Sequence, residues 1–364
     1  SMEKIKSFYN NKRVLVTGAT GFKGAWLCSW LLKLGAKVYG TGFNPNQNKN
    51  LFYKLNLNNR INLKIFDVRD YVKLKNFIYS SKPSIIFHLA AQPIIYKSYQ
   101  DPFFTFDVNC RGTLNILEIT KKYKFIKSVV LITSDKCYEN VGKIKRYKES
   151  DMLGGVDPYS ASKGAAELII RSYRESFFKN KKKCGVSSAR AGNVIGGGDW
   201  SEKRLIPTCI RSLIKNKVIL LRNPNSVRPW QLVLEPLKGY LILAKKQFEN
   251  PLNYSGAWNF GPKDDDVKPV GEIMDYLVQH WLSTASWIVD KKYDPGFSRD
   301  YSSKLAPILI QNLPPQQPCW NSSWEYPSPD RDPSPNPPTL SQTRENGVSA
   351  EGSPSIDLPY QGPP

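Results

Sequence analysis

The chain has 364 residues, 40% of them hydrophobic and 23% charged, which supports a packed core and is enough for one large α/β domain with a smaller partner lobe or for two ordinary domains. No apolar run reaches the length of a membrane span: the longest, Ala25 to Ala36, is short and broken by Lys33. Six scattered cysteines form no CxxC or CxxxC pair, so neither a zinc knuckle nor a disulfide framework is suggested and no metal is expected.

The formal charge of +21 invites a nucleic-acid reading. The lysines, however, are dispersed from Lys4 to Lys304 with one tight cluster, Lys181-Lys182-Lys183, as expected of a residue bias spread over the surface. A catalytically silent, basic, RNA-binding protein is kept as a rival from a different class. Ser1-Met2 reads as a cloning remnant, no charged-then-apolar leader follows, and single cysteines suit a reducing cytosol, so the expected location is the cytoplasm.

Along the chain, 13–18 reads as a short buried strand ending in a glycine turn. Residues 22–34 have helical spacing and stop at Gly35, a C′ cap. Further strands are predicted from Lys37 to Gly40, Ser84 to Ala90, Ser128 to Thr133 and, more weakly, Gly185 to Arg190, with helices over about 101–123 and 158–179. Alternating strands and helices, with strands that are apolar throughout, predict a doubly wound parallel sheet of the Rossmann type over 1–190. After Asn193, glycines, prolines and tryptophans mix with short helical stretches, which predicts a smaller substrate-binding lobe over 191–304, interleaved with the first domain. From 305 onward no lysine occurs, two arginines face six acidic residues, and Pro, Ser, Gln and Asn dominate. That tail is predicted to be disordered. It reads as an altered reading frame or a fused foreign segment.

Gly18-Ala-Thr-Gly21-Phe-Lys-Gly24 follows a strand and opens a helix. Glycines let the backbone approach a pyrophosphate, and the helix N-terminus offers N–H groups and a positive dipole end. Gly18, Thr20, Gly21, Phe22, Lys23 and Gly24 are therefore candidate dinucleotide contacts. No acidic residue stands about 20 positions later to hold a ribose 2′-hydroxyl. Asn44 can take that place, and the absence of a nearby arginine favours NAD over NADP. Asp67, with Val68, is a candidate for the adenine side.

Tyr159 and Lys163 form a YxxxK pair, four residues apart and so on one helical face. An ammonium beside a phenol is expected to lower the phenol's pKa, so that the tyrosine can take a proton from a sugar hydroxyl.

Together these elements resemble the extended short-chain dehydrogenase/reductase family. Thr133-Ser-Asp-Lys-Cys-Tyr-Glu-Asn140, Leu153 to Lys163, Ala189 to Trp200, Arg228-Pro-Trp-Gln and Val233 to Tyr240 resemble its CDP-glucose 4,6-dehydratase branch, over about residues 10 to 290. The resemblance implies bound NAD, a nucleotide-sugar substrate, CDP-glucose first among them, and a role in deoxysugar synthesis for surface polysaccharide. It implies that hydride leaves glucose C4 for NAD, that the resulting ketone acidifies C5, that water is lost across C5 and C6, and that hydride returns to C6. Ser134 would hold the C4 oxygen, Asp135 would act as the acid and Lys136 as the C5 base, so Asp135 must carry a proton and Lys136 must be able to lose one. Related dehydratases acting on other nucleotide sugars place Glu where Lys136 stands; a 4-epimerase, the nearest rival, needs no such pair.

By the same resemblance Leu89, Ala90, Ala91 and Thr133 line the cofactor, and Gln92, Asn193, Arg204 and Arg228 meet the substrate. A planar guanidinium fork suits its phosphates. The family also implies a homodimer built from the 101–123 and 158–179 helices, or a homotetramer. Three departures stand out: Ala19 and Leu232 replace expected histidines, and the family's closing helices are absent from the C-terminal part.

Overall fold

Seven of the chain's apolar segments pair side by side, all parallel, in the computed structural model, which describes residues 2–43, 50–140, 145–179, 184–262, 267–281, 285–290 and 308–310. The strands are β1 Arg13–Thr17, β2 Lys37–Gly42, β3 Asn62–Ile65, β4 Ile85–His88, β5 Ser128–Ile132, β6 Gly185–Ala191 and β7 Ala257–Phe260. Their order across the sheet is β7-β6-β5-β4-β1-β2-β3. The chain moves outward from β1 in one direction, then resumes on its other side, so the order reverses between β1 and β4. Such a switch point opens a crevice at the carboxyl ends of the strands.

Alternation along β1 shows why both faces are covered. Val14 and Val16 join one core with Leu27 and Leu31 of helix Phe22–Lys33 and Leu237 and Tyr240 of helix Leu234–Glu249. Leu15 joins the opposite core with Leu74, Ile116 and Ile170, from helices Tyr71–Ser81, Gly112–Lys122 and Pro158–Tyr173. A third cluster, centred on Cys209, Leu213, Ile219, Leu221, Trp230 and Met274, is built wholly from residues after 200.

Three features differ from the sequence reading. The main sheet takes its seventh strand from residues 257–260, beyond the 1–190 segment. The helix expected over 101–123 is interrupted by a π-turn at Asp107–Arg111. That wider turn carries Asn109, whose side chain bonds the Gln92 backbone and the Ser162 hydroxyl. Within the tail, Ile308–Ile310, a short apolar run in a segment otherwise rich in Pro, Ser, Gln and Asn, forms a strand parallel to Lys145–Tyr147. The rest of 305–364, like the cluster Lys181-Lys182-Lys183, lies outside the described residues.

β1 and β4 are joined at their ends by more than the ladder. Thr17 Oγ1 and His88 Nδ1 are 2.7 Å apart, and Ala90 N–H donates to Thr17 Oγ1 at 3.3 Å. Burial, reinforced by the charge of Lys163, pushes the His88 imidazole from its ordinary 6.5 down to about 3. The folded chain therefore keeps His88 neutral where the unfolded chain protonates it. Stability from this source is complete above pH 6.5 and falls as pH drops toward 3. Chemical denaturation at pH 6, 5 and 4 should show the folding constant of the parent chain falling up to about tenfold more per pH unit than that of His88→Asn; parallel pH slopes would disprove the assignment.

Candidate active site

The crevice at the β1/β4 switch point continues into a cleft of ≈ 2050 Å³ reaching the third cluster. One wall is the glycine loop. Gly18 has φ +71°, and a Cβ there would sit 2.8 Å from the Ala90 nitrogen, so only glycine lets the β1 loop lie against the β4 end. Gly21 is the N-cap of helix Phe22–Lys33 and supplies no side-chain cap, so that terminus has no side-chain acceptor from its cap residue. Thr20, Phe22, Lys23 and Gly24 line the cleft, with Thr20 Oγ1 donating to the Phe43 carbonyl at 2.9 Å. Ala19, where a histidine was expected, is fully buried in the main core; a Cβ on Gly40 would meet its methyl at 2.9 Å.

The second wall is the end of β5. Ser134 Oγ donates to Asp135 Oδ1 at 2.9 Å, and the Lys136 ammonium lies 3.7 Å from Asp135 Oδ2. Asp135 is 2% exposed, so the pair is not a solvated strand end. Space for its carboxylate comes from Gly192, where a Cβ would fall 3.2 Å from Asp135 Oδ2.

The third wall is helix Pro158–Tyr173. Asp157 caps it by accepting from Ser160 N–H at 3.0 Å, and Pro158 occupies the first turn, where no N–H is needed. The helix thus starts one residue before Tyr159 and presents Tyr159 and Lys163 together to the cleft. Lys163 Nζ reaches the Ile132 carbonyl at 3.4 Å. Burial pushes this ammonium down to about 8. The expected lowering of the Tyr159 phenol is not produced by the protein groups: burial pushes it up to about 12, and its hydrogen bond with the Ser134 side chain opposes that rise. Desolvation of the phenolate outweighs the groups around it.

The remaining candidates divide. Val68, Leu89, Ala90, Ala91, Thr133, Asn193, Arg204 and Arg228 line the cleft. Arg204 pairs with Asp199 at 3.3 Å, and Arg228 donates to the Val227 carbonyl at 2.9 Å. Lys23 is pushed down to about 8, by burial first and then by the charge of Arg204. Lys23, Lys163 and Arg204 all line this cleft, which suits an anion. Asp67 does not line the cleft: its carboxylate accepts three bonds from Arg69, which also bridges to Asp107 at 2.9 Å. Gln92 is also outside it, its amide closing a turn with Ile94 and bonding Thr105 Oγ1 at 2.8 Å. Asn44 lies outside the described residues. Glu167 and Arg190, which the sequence reading passed over, form a buried ion pair at 2.7 Å behind the site. The four-residue spacing from Lys163 to Glu167 was the available signal. Among the described residues no group of three or more His, Cys, Asp or Glu is placed to hold a metal ion.

The chain is similar to known proteins. The family model described as GDP-mannose 4,6 dehydratase matches residues 15–256. The chain is 47% identical over 294 residues to CDP-glucose 4,6-dehydratase of Salmonella typhimurium, covering 80% of this chain and 82% of that one. Two solved structures share the fold. A dTDP-glucose 4,6-dehydratase from Bacillus anthracis in complex with NAD has a TM-score of 0.64 at 21% identity, covering 82% of this chain and 87% of that one. A UDP-glucose 4-epimerase of Thermotoga maritima with UDP-glucose has a TM-score of 0.66 at 17% identity, covering 82% and 89%.

Gly18→Ala is expected to cost at least about 1 kcal/mol from the left-handed backbone alone, before the clash with Ala90 is relieved. Gly197→Ala, whose added Cβ meets nothing within 4 Å, is the control and should be near neutral. Urea unfolding of the two variants decides it, and equal midpoints would show that the loop can move away from β4.

Proposed function

Because the chain belongs to the GDP-mannose 4,6-dehydratase family, we propose that it catalyses the NAD-dependent 4,6-dehydration of a nucleotide hexose, CDP-D-glucose, to the 4-keto-6-deoxy sugar nucleotide and water. The observation that carries this reading is the buried Asp135, bonded to Ser134 and facing Lys136, in the same cleft as Tyr159 and Lys163. The shared fold alone would fit an epimerase equally well, but an acid–base pair at the strand end has work to do only where water is lost.

The glycine loop fits NAD. Gly18 admits the close approach of loop and β4, Gly21 leaves the helix start without a side-chain cap, and Gly18 to Gly24 border the cleft. Gly18, Thr20, Gly21, Phe22, Lys23 and Gly24 would hold the pyrophosphate side, and Val68, Leu89, Ala90, Ala91 and Thr133 the rest. NAD, when bound, supplies an acceptor for the C4 hydride and the source of the hydride returned to C6.

The chain's own groups manage protons and position. Tyr159 takes the proton of the C4 hydroxyl while Ser134 holds that oxygen. Lys163 supports the phenolate by charge, which is most valuable in a site this dry. Lys136 removes the proton at C5, and Asp135 protonates the departing C6 hydroxyl. Asn193, Arg204 and Arg228 hold the sugar and diphosphate.

The proposed assembly is a homodimer. Phe103, Leu168 and Phe177, on the segments of the expected interface, are 81%, 56% and 37% exposed, a cost in water that a partner copy would remove. Among the described residues no helix is long and apolar enough to cross a membrane. We place the reaction in the cytoplasm, where NAD and nucleotide sugars are made.

Two measurements test the reading. Incubation with CDP-glucose and NAD should generate the alkali-induced ultraviolet absorbance of a 4-keto-6-deoxy sugar, and Tyr159→Phe should reduce the rate at least about a hundredfold, the usual share of a general base. No product from CDP-glucose or the other nucleoside diphosphate glucoses would overturn the function. Sedimentation velocity should find a dimer that Leu168→Asp weakens; a monomer at micromolar concentration would remove the interface.

A further inference from the structure

Helix Pro158–Tyr173 carries a third charged residue beyond Tyr159 and Lys163. Glu167 lies four residues past Lys163, on the same stripe, yet it is 2% exposed and stands behind the cleft. Its carboxylate is fully used. Oε1 accepts from Thr133 Oγ1 at 2.5 Å; Oε2 accepts from Ser188 Oγ and from Arg190 Nη2, each at 2.7 Å. Arg190 extends the connection, donating through Nη1 to the Tyr138 hydroxyl at 2.7 Å, and that hydroxyl donates to Asn259 Oδ1 at 2.7 Å. One side chain is thus bonded to the residue before Ser134 and belongs to the helix that presents Tyr159 and Lys163.

Stability alone does not account for such an arrangement. Desolvating two charges costs about what their attraction returns, and apolar residues of equal volume are often as stable or more so. A buried charge of fixed sign next to a reactive group does have a use. Five ionisable groups influence or are influenced by Lys163: Glu167 on its own helix, Cys110 on the π-turn, Cys137 after β5, His88 on β4 and Lys23 in the glycine loop. Burial keeps both thiols protonated and His88 neutral. Burial also opposes ionisation of Glu167, but the Arg190 charge and the bonds from Arg190, Thr133 and Ser188 outweigh it and hold the carboxyl below its usual range. Glu167 is therefore the fixed negative charge among the five. Against the burial that pushes Lys163 down, it is the foremost opposing influence.

We propose that Glu167 is a positioning residue for the reaction: through Thr133 it fixes the Ser134–Asp135 strand end against the Tyr159–Lys163 helix, and its buried charge keeps Lys163 protonated. The inference rests on the dehydratase reading. Lys163 serves as an ammonium, so activity is lost as pH rises through its titration, and removing the Glu167 charge moves that loss to lower pH.

Glu167→Gln keeps the shape and removes the charge. The double variant Glu167→Gln/Arg190→Met also removes the arginine left unpaired, which safeguards folding. Turnover of CDP-glucose is followed against pH, and Lys163 is titrated directly by NMR of ε-13C-lysine-labelled protein, its signal identified by Lys163→Arg. Melting temperature is recorded for each. In both variants the alkaline limb and the Lys163 titration should move down by about one pH unit. Variants that overlay the parent in both readouts, with activity following only the folded fraction, would reduce Glu167 to a structural strut and overturn the inference. A parent chain without turnover would instead refute the dehydratase reading, and the lysine titration would still decide whether Glu167 sets the charge of Lys163.

Discussion

All seven strands of the main sheet run in one direction and helices cover both faces of its centre, and this constraint organises the rest of the molecule. A parallel sheet buried on both sides leaves its interior apolar and sends functional groups to the strand ends. Here the carboxyl ends of β1, β4, β5 and β6 lead directly into Gly18, Leu89, Thr133 and Gly192, all at or beside the cleft. The site is a consequence of strand direction combined with the reversal of order between β1 and β4.

β6 departs furthest from an apolar interior. Ser187, Ser188 and Arg190 are buried in it, and all three side chains find partners: Gln247 and Tyr254 for Ser187, Glu167 for Ser188, and Glu167 with Tyr138 for Arg190. Buried polar groups are tolerated when bonded and costly when not. This network lies directly behind the side chains of Tyr159, Lys163 and Ser134 that line the cleft and ties together the helix, β5, β6 and β7. The polarity of the site therefore continues inward through the protein.

Much of this was legible in the sequence, and the limits have physical causes. The glycine loop, YxxxK and the Ser134-Asp135-Lys136 run are local signals, each contained in one strand–turn–helix or one helical turn, and all of them reach the cleft. What escaped depends on distance. Asp67 reads as an adenine-side contact although its partner Arg69 stands two residues on; what fixes that arginine in place, Asp107, is 40 residues from Asp67. Gln92 is a substrate contact by resemblance, and its side chain is instead held by the Ile94 backbone and by Thr105, 13 residues away, which the local sequence does not signal. Arg190 sits in a strand that reads as weakly apolar, and only the fold reveals Glu167 beside it. β7 is four residues long; Ser255-Gly256 and Gly261-Pro262 bracket it as turn signals, but a run of four that includes an asparagine is too short for a strand period to register.

The position of β7 has a consequence for how such a protein can change. Residues 257–260 complete the sheet against β6, so the segment from Gly192 to Gly256 is an excursion between two adjacent strands of one sheet. Cutting the chain near residue 190 would leave β6 with a bare edge of unpaired N–H and C=O groups, an invitation to aggregate. New substrate preferences are therefore most readily acquired by reshaping the part of that excursion that precedes helix Leu234–Glu249, which itself belongs to the main core, and not by joining one ready-made domain to the end of another.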